Sequence, residues 1–129
     1  MGYRLEVRID DVPALPRVLD HAHWRVVAQH RTKWRMLVKY AVGGKGPEVP
    51  LERARVSIVI HNKRAPDPDN LVASIKPILD GLQPGGRYVG ADVIANDTAE
   101  SFVGGAALVS FVKLAKGERK HMVIMVEEA

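Results

Sequence analysis

Leu5, Val7 and Ile9 alternate with Arg4, Glu6 and Arg8. A period of two predicts a half-buried strand, and Pro13 and Pro16 then mark a loop. Over residues 23–41 the period lengthens. Trp24, Val27, Trp34, Leu37, Val38 and Ala41 fall on one stripe, while Arg25, Lys33, Arg35 and Lys39 lie off it. That spacing predicts an amphipathic helix with a basic outer face. Arg31 sits at the edge of the stripe, where its guanidinium has to snorkel outward or meet an acid. Gly43-Gly44-Lys45-Gly46-Pro47 ends the helix, because glycine suits the C-terminal cap and proline cannot continue it.

The next strand is predicted over residues 53–61, rich in β-branched side chains. Beyond it Leu71, Ile75, Ile78 and Leu82 recur at helical spacing, with Val72 and Leu79 widening the stripe, so a helix is expected over 68–82. Pro77 lies inside that helix and predicts a kink or break near Ser74. Pro84-Gly85-Gly86-Arg87 reads as a loop. Residues 108–114 and 122–126 read as strands, with Lys116-Gly117-Glu118-Arg119 as a hairpin connection between them. The order of elements predicts an α+β fold, a small mixed β-sheet packed with two main helices, in one domain spanning residues 1–129.

Composition narrows the classes. A chain of 129 residues, 47% hydrophobic and 26% charged, is long enough for one buried core. No run approaches the ~20 apolar residues that span a bilayer. The first residues lack the pattern of a signal or transit peptide, so the expected compartment is the cytoplasm. The absence of cysteine removes disulfides, thiolate zinc sites and thiol nucleophiles, leaving oxygen or imidazole for any metal. Net charge is +4, unevenly distributed: Arg25, Arg31, Lys33, Arg35, Lys39 and Lys45 lie between His21 and Pro47 with no acid among them. A cationic surface set apart from an acidic site suits an enzyme acting on a polyanion, and equally a solvated helix face.

The acidic candidate is Lys63-Arg64-Ala65-Pro66-Asp67-Pro68-Asp69-Asn70-Leu71, between a predicted strand and a predicted helix. Asp67 can cap the helix, with Pro68 at the first helical position and Asp69 in the first-turn dipole field. Capping needs only one of the two acids, and two close anions repel unless a cation lies between them. Mg²⁺ fits, being commonly held by one or two carboxylates plus substrate phosphate oxygens. An EF-hand loop does not fit, because its required glycine and glutamate are replaced by Val72 and Ile78. The five histidines show no zinc-type pairing beyond His21-x-His23, and Gly43-Gly44-Lys45-Gly46 lacks the context of a phosphate-binding loop.

Asp67-Pro68-Asp69-Asn70-Leu71, then Lys76, then Asp80-Gly81-Leu82, then Val93-Ile94-Ala95-Asn96-Asp97 resemble, in that order, the RusA family of Holliday-junction resolvases. The match covers about residues 55–100. The resemblance implies a small α+β homodimer, often encoded by phages or prophages, that cuts four-way DNA junctions with Mg²⁺ or Mn²⁺. It implies Asp67, Asp69 and Asp97 as metal-binding catalytic carboxylates and Lys76 as a catalytic lysine. Three departures stand out. Lys76 lies seven residues beyond Asp69 rather than about four, which still returns it to nearly the same helix face. Asn96 replaces the first acid of the usual pair. The segment between Leu82 and Asp97 is longer than usual and contains Asp92, so Asp97 is the favoured third acid and Asp92 the alternative.

The expectation is therefore a metal-dependent endonuclease in recombination or repair, with Arg25, Lys33, Arg35, Lys39, Lys63 and Arg64 contacting DNA. Two alternatives stand beside it. One is a non-catalytic DNA-binding module in which Asp67 and Asp69 only cap a helix. The other is a metal nuclease directed at flaps or forks.

Overall fold

The computed structural model describes residues 2–86 and 89–129, apart from the side chains of Pro16 and Arg17. Its strands are β1 (Arg4–Ile9), β2 (Ala54–Asn62), β3 (Leu108–Lys113) and β4 (His121–Glu128). Its helices are α1 (Pro16–Leu19), α2 (Trp24–Val42), α3 (Pro68–Ser74) and α4 (Lys76–Leu82). The fold is α+β. One mixed sheet has the order β1-β4-β2-β3, with β4 antiparallel to both neighbours and β3 parallel to β2.

Register explains which face is covered. Leu5 pairs with Val126, Val7 with Ile124 and Ile9 with Met122, and the same three β4 residues pair with Val56, Ile58 and Ile60 of β2. Paired residues share a face of a pleated sheet, so these nine side chains form one apolar surface, and all nine are buried. Trp34, Val38 and Val42 of α2 and Ile78 and Leu82 of α4 complete the core against it.

The helices depart from the sequence pattern at particular residues. The pattern puts Trp24 on the buried stripe, but it is 68% exposed, at the first turn of α2, whose buried residues begin at Trp34. Arg35 belongs by period to the outer basic face but is half-buried, lining a cleft with Asp80 and Gln83. Its backbone lies there because α4 approaches unusually closely at Gly81, where a Cβ would stand 3.0 Å from the Val38 Cβ and 3.2 Å from the Arg35 Cα. Arg31 is exposed, so it snorkels.

The expected long helix is broken in two. Pro77 has no N–H to offer the carbonyl four residues back, and Ile75 takes φ −87° and ψ −3°, off the regular helix. Ser74, buried, donates its hydroxyl to the Leu71 carbonyl at 2.7 Å and helps close α3. Val72, expected to widen the buried stripe, is 59% exposed on the N-terminal side of this break.

The predicted hairpin between the last two strands is not formed. β3 and β4 lie on opposite sides of β2, so residues 114–120 cross the end of β2 instead. Lys116 and Gly117 do form a turn, but turn chemistry fixes a reversal and not the strand partner. Of the loop after α4, Arg87 lies outside the described residues.

Candidate active site

β2 ends at Asn62 and the chain reaches Asp67 at the N-cap position of α3, with Pro68 first in the helix and Asp69 in its first turn. The predicted local arrangement is therefore present, with one refinement. The Asp67 side chain makes no capping hydrogen bond. Both carboxylates are exposed, and among the described residues neither accepts a hydrogen bond or joins an ion pair. A purely structural cap would use its oxygen on a first-turn N–H.

The third acid arrives by a separate route. The Val93 and Ile94 N–H groups donate to the Leu82 carbonyl at 2.8 and 3.1 Å, both side chains are buried, and Val93 and Ala95 bridge to Leu51. This clamps the segment after α4 against the helix end and carries Asp97 back to α4. The Lys76 Nζ donates to Asp97 Oδ2 at 2.5 Å and to Asp80 Oδ1 at 2.8 Å. No described bond links Lys76 to Asp67 or Asp69. Asp92, the alternative third acid, is exposed on irregular backbone with φ +54° and joins no ion pair among the described residues.

Burial opposes the charged form of Lys76. Hydrogen bonds and Coulombic attraction from Asp80 and Asp97 outweigh it and hold the ammonium above the usual lysine range. Lys76 is therefore cationic at neutral pH and suited to facing a phosphate, not to removing a proton. Asp80 is a participant that sequence reasoning missed, although the motif contains it. The signal that could have found it is the i,i+4 spacing from Lys76.

Beside these groups runs a groove of about 200 Å³, lined by Val72, Lys76 and Leu79 on one side and by Asp97, Phe102 and Ala107 on the other. Helical periodicity places Asp69 one turn N-terminal to Val72 and Ala73. Among the described residues no three Asp, Glu, His or Cys side chains are grouped so as to hold a metal ion, so Asp67, Asp69 and Asp97 are not brought together as one three-carboxylate site. The donor set still fits Mg²⁺, which is commonly held by one or two carboxylates and completed by water and substrate phosphate. Asp67 and Asp69 are two such carboxylates without competing partners among the described residues, whereas Asp97 is shared with Lys76.

The expected DNA contacts separate into two groups. Lys33 is held by Asp11 at 2.8 Å, and Arg35 is half-buried beside α4. Arg25, which lies 5.3 Å from the Trp24 ring centre, and Lys39, Lys63 and Arg64 are exposed. Histidines take structural roles: the His23 Nδ1 accepts from the Arg25 N–H, the His30 Nε2 from the Ala14 N–H, and His61 stacks on His121 at 4.1 Å.

No model of a known protein family matches the chain, and no curated protein is similar to it. Among the described residues no helix is long and apolar enough to cross a membrane.

Proposed function

We propose that this protein is a Mg²⁺-dependent, structure-specific DNA endonuclease of the RusA kind that resolves four-way junctions as a homodimer. The observation that carries the reading is the return of Asp97 to the helix pair opened by Asp67-Pro68-Asp69. An acid remote in sequence meets Lys76 beside a groove, in the order of the RusA motifs.

Asp67 and Asp69, joined by Asp97 once it is released from Lys76, would hold the metal ion, which when bound supplies an activated water and neutralises charge on the scissile phosphate. Asp67 and Asp69 present free oxygens at the start of α3. Asp80 and Asp97 fix the Lys76 ammonium at the groove, where it stabilises negative charge accumulating on the phosphate. Because Lys76 is held protonated, its contribution is electrostatic. A two-fold dimer presents two such grooves to strands of like polarity.

Labelled four-way junction, fork and linear duplex, each incubated with and without Mg²⁺ and with Mn²⁺, test this reading. Cleavage of the junction only with metal is expected. Binding without cleavage under every condition would instead establish a non-catalytic module, and preferential cutting of forks would move the substrate class.

A further inference from the structure

β2 and β3 run parallel, β4 and β1 antiparallel to their neighbours, so one end of the sheet gathers the ends of β1, β2 and β3 and the start of β4. That is also the end from which the chain leaves β2 toward Asp67. Lys113 pairs with Asn62, and the Leu114 N–H donates to the Asn62 carbonyl at 3.1 Å, so the 114–120 connection starts at the end of β2, from which Lys63 and Arg64 follow. Lys113 follows Val109 and Phe111 on the sheet face that carries the helices, the face on which α3 begins.

Apart from Asp67 and Asp69 themselves, the acids described at this end are engaged. Asp10 pairs with Arg8, Asp11 with Lys33 and Lys120, and Glu118 accepts the Ala115 N–H at 2.7 Å. That last bond closes a turn in which Gly117 adopts φ +86°, a conformation open to glycine, and it presents Lys116 outward. Lys63, Arg64, Lys113, Lys116 and Arg119 are exposed and join no ion pair among the described residues. Five such cations beside an acidic motif form a field that attracts a polyanion to one particular edge of the catalytic groove.

We infer that this sheet end, with the β3–β4 connection as its centre, grips the phosphate backbone of the duplex arm that leads into the groove. β3 spans about 17 Å from Leu108, next to the groove, to Lys113, or about five nucleotides of one strand at ~3.4 Å rise. The cationic cluster thus holds DNA on the Asp67 side of the groove, several nucleotides from Lys76, and sets which phosphate reaches that lysine. The inference rests on the nuclease reading and adds a binding surface that the motifs do not contain.

The test is salt-dependent binding of labelled linear duplex and four-way junction in EDTA, so that binding is read without cleavage. Lys113→Gln/Lys116→Gln/Arg119→Gln is compared with wild type and with Arg53→Gln/Arg55→Gln, exposed cations toward the opposite end of β2. The first variant should bind more weakly, with the slope of log K against log salt reduced by about 0.9 for each phosphate that is no longer neutralised. The Arg53/Arg55 variant should keep the wild-type slope. Circular dichroism checks folding, and Lys116→Gln alone, on the turn surface, gives the same test for a single phosphate. A wild-type slope in the folded triple variant, or an equal loss in the Arg53/Arg55 variant, overturns the inference and leaves the nuclease reading standing. Failure of the wild type to bind either DNA overturns both.

Discussion

At Asp67 and Asp69 the decisive point is what the side chains leave undone. An N-cap aspartate that makes no capping bond retains its full acceptor capacity for a cation. Asp69→Asn should therefore fold and bind junction like wild type while cleavage falls by ~10² or more, the scale for removing one charge-stabilising group. Asp97→Asn should do the same and Asp92→Asn should be mild. Gel assays of all three decide the third acid, and full activity in Asp97→Asn would refute its assignment. Lys76→Met leaves Asp80 and Asp97 without their shared cation. Because the Lys76 side chain is 60% exposed, stability should change by less than about 1 kcal/mol, while cleavage should slow by ~10². Thermal melts alongside cleavage rates separate the two effects. Lys33 makes a poorer probe of DNA binding than Arg25 or Lys39, since its removal also leaves Asp11 with Lys120 as its remaining ion-pair partner among the described residues.

Paired strands bring together groups that single-residue reasoning keeps apart. His61 on β2 pairs in register with His121 on β4, and their rings stack at 15°. Desolvation first, then the neighbouring His121, depress the His61 pKa below the ordinary histidine value, with Arg8 adding to the effect and Glu118 opposing it. A lowered folded-state pKa means that the folded protein binds fewer protons than the unfolded chain in this range. The associated stability is present above the unfolded value, about 6.5, and is lost as pH falls through the folded value. His61→Gln should flatten the loss of stability below that pH, measured as urea midpoints at successive pH values. An unchanged pH dependence would assign the acid sensitivity to other groups, His30 among them, whose pKa burial also lowers. The break between α3 and α4 is likewise a property of elements. It separates the exposed Val72 and the acid-bearing first turn from α4, which buries Ile78 and Leu82 and whose Lys76 meets Asp97.

For the molecule as a whole, the homodimer proposed with the nuclease reading has a direct consequence. Each copy would contribute one groove, so a dimer formed from one wild-type and one Asp69→Asn chain should nick a junction on one strand and not resolve it. Differently tagged chains, co-expressed and doubly purified, give that species. Paired cuts from the mixed dimer would show that one groove serves both strands, and a single sedimenting monomer would remove the symmetric arrangement altogether.

Local order was readable because it depends on near neighbours. The alternation around Val7, the stripe through Trp34 and Val38, the Asp67-Pro68 helix start and the interruption caused by Pro77 all follow from side-chain period, φ restriction and missing donors. Family resemblance added Asp97 and Lys76 as candidates, but no spacing rule says that residues 21 apart meet. That meeting depends on the segment around Val93 and Ile94 docking on the end of α4, a tertiary event. The partner of β3 was equally hidden, since a Lys116-Gly117 turn permits both a hairpin and a passage across β2. Burial and pairing of the whole sheet choose between them, because β4 is most favourable where its apolar residues meet both β1 and β2. Near-neighbour patterns were enough for most strands, the main helix and the acidic motif. Packing was needed to show that Lys76 is shared by Asp80 and Asp97, that Arg35 is half-buried beside α4, and that the β3–β4 connection crosses the end of β2. Each joins segments whose proximity is set by the packing of a common core and not by anything in their local sequence.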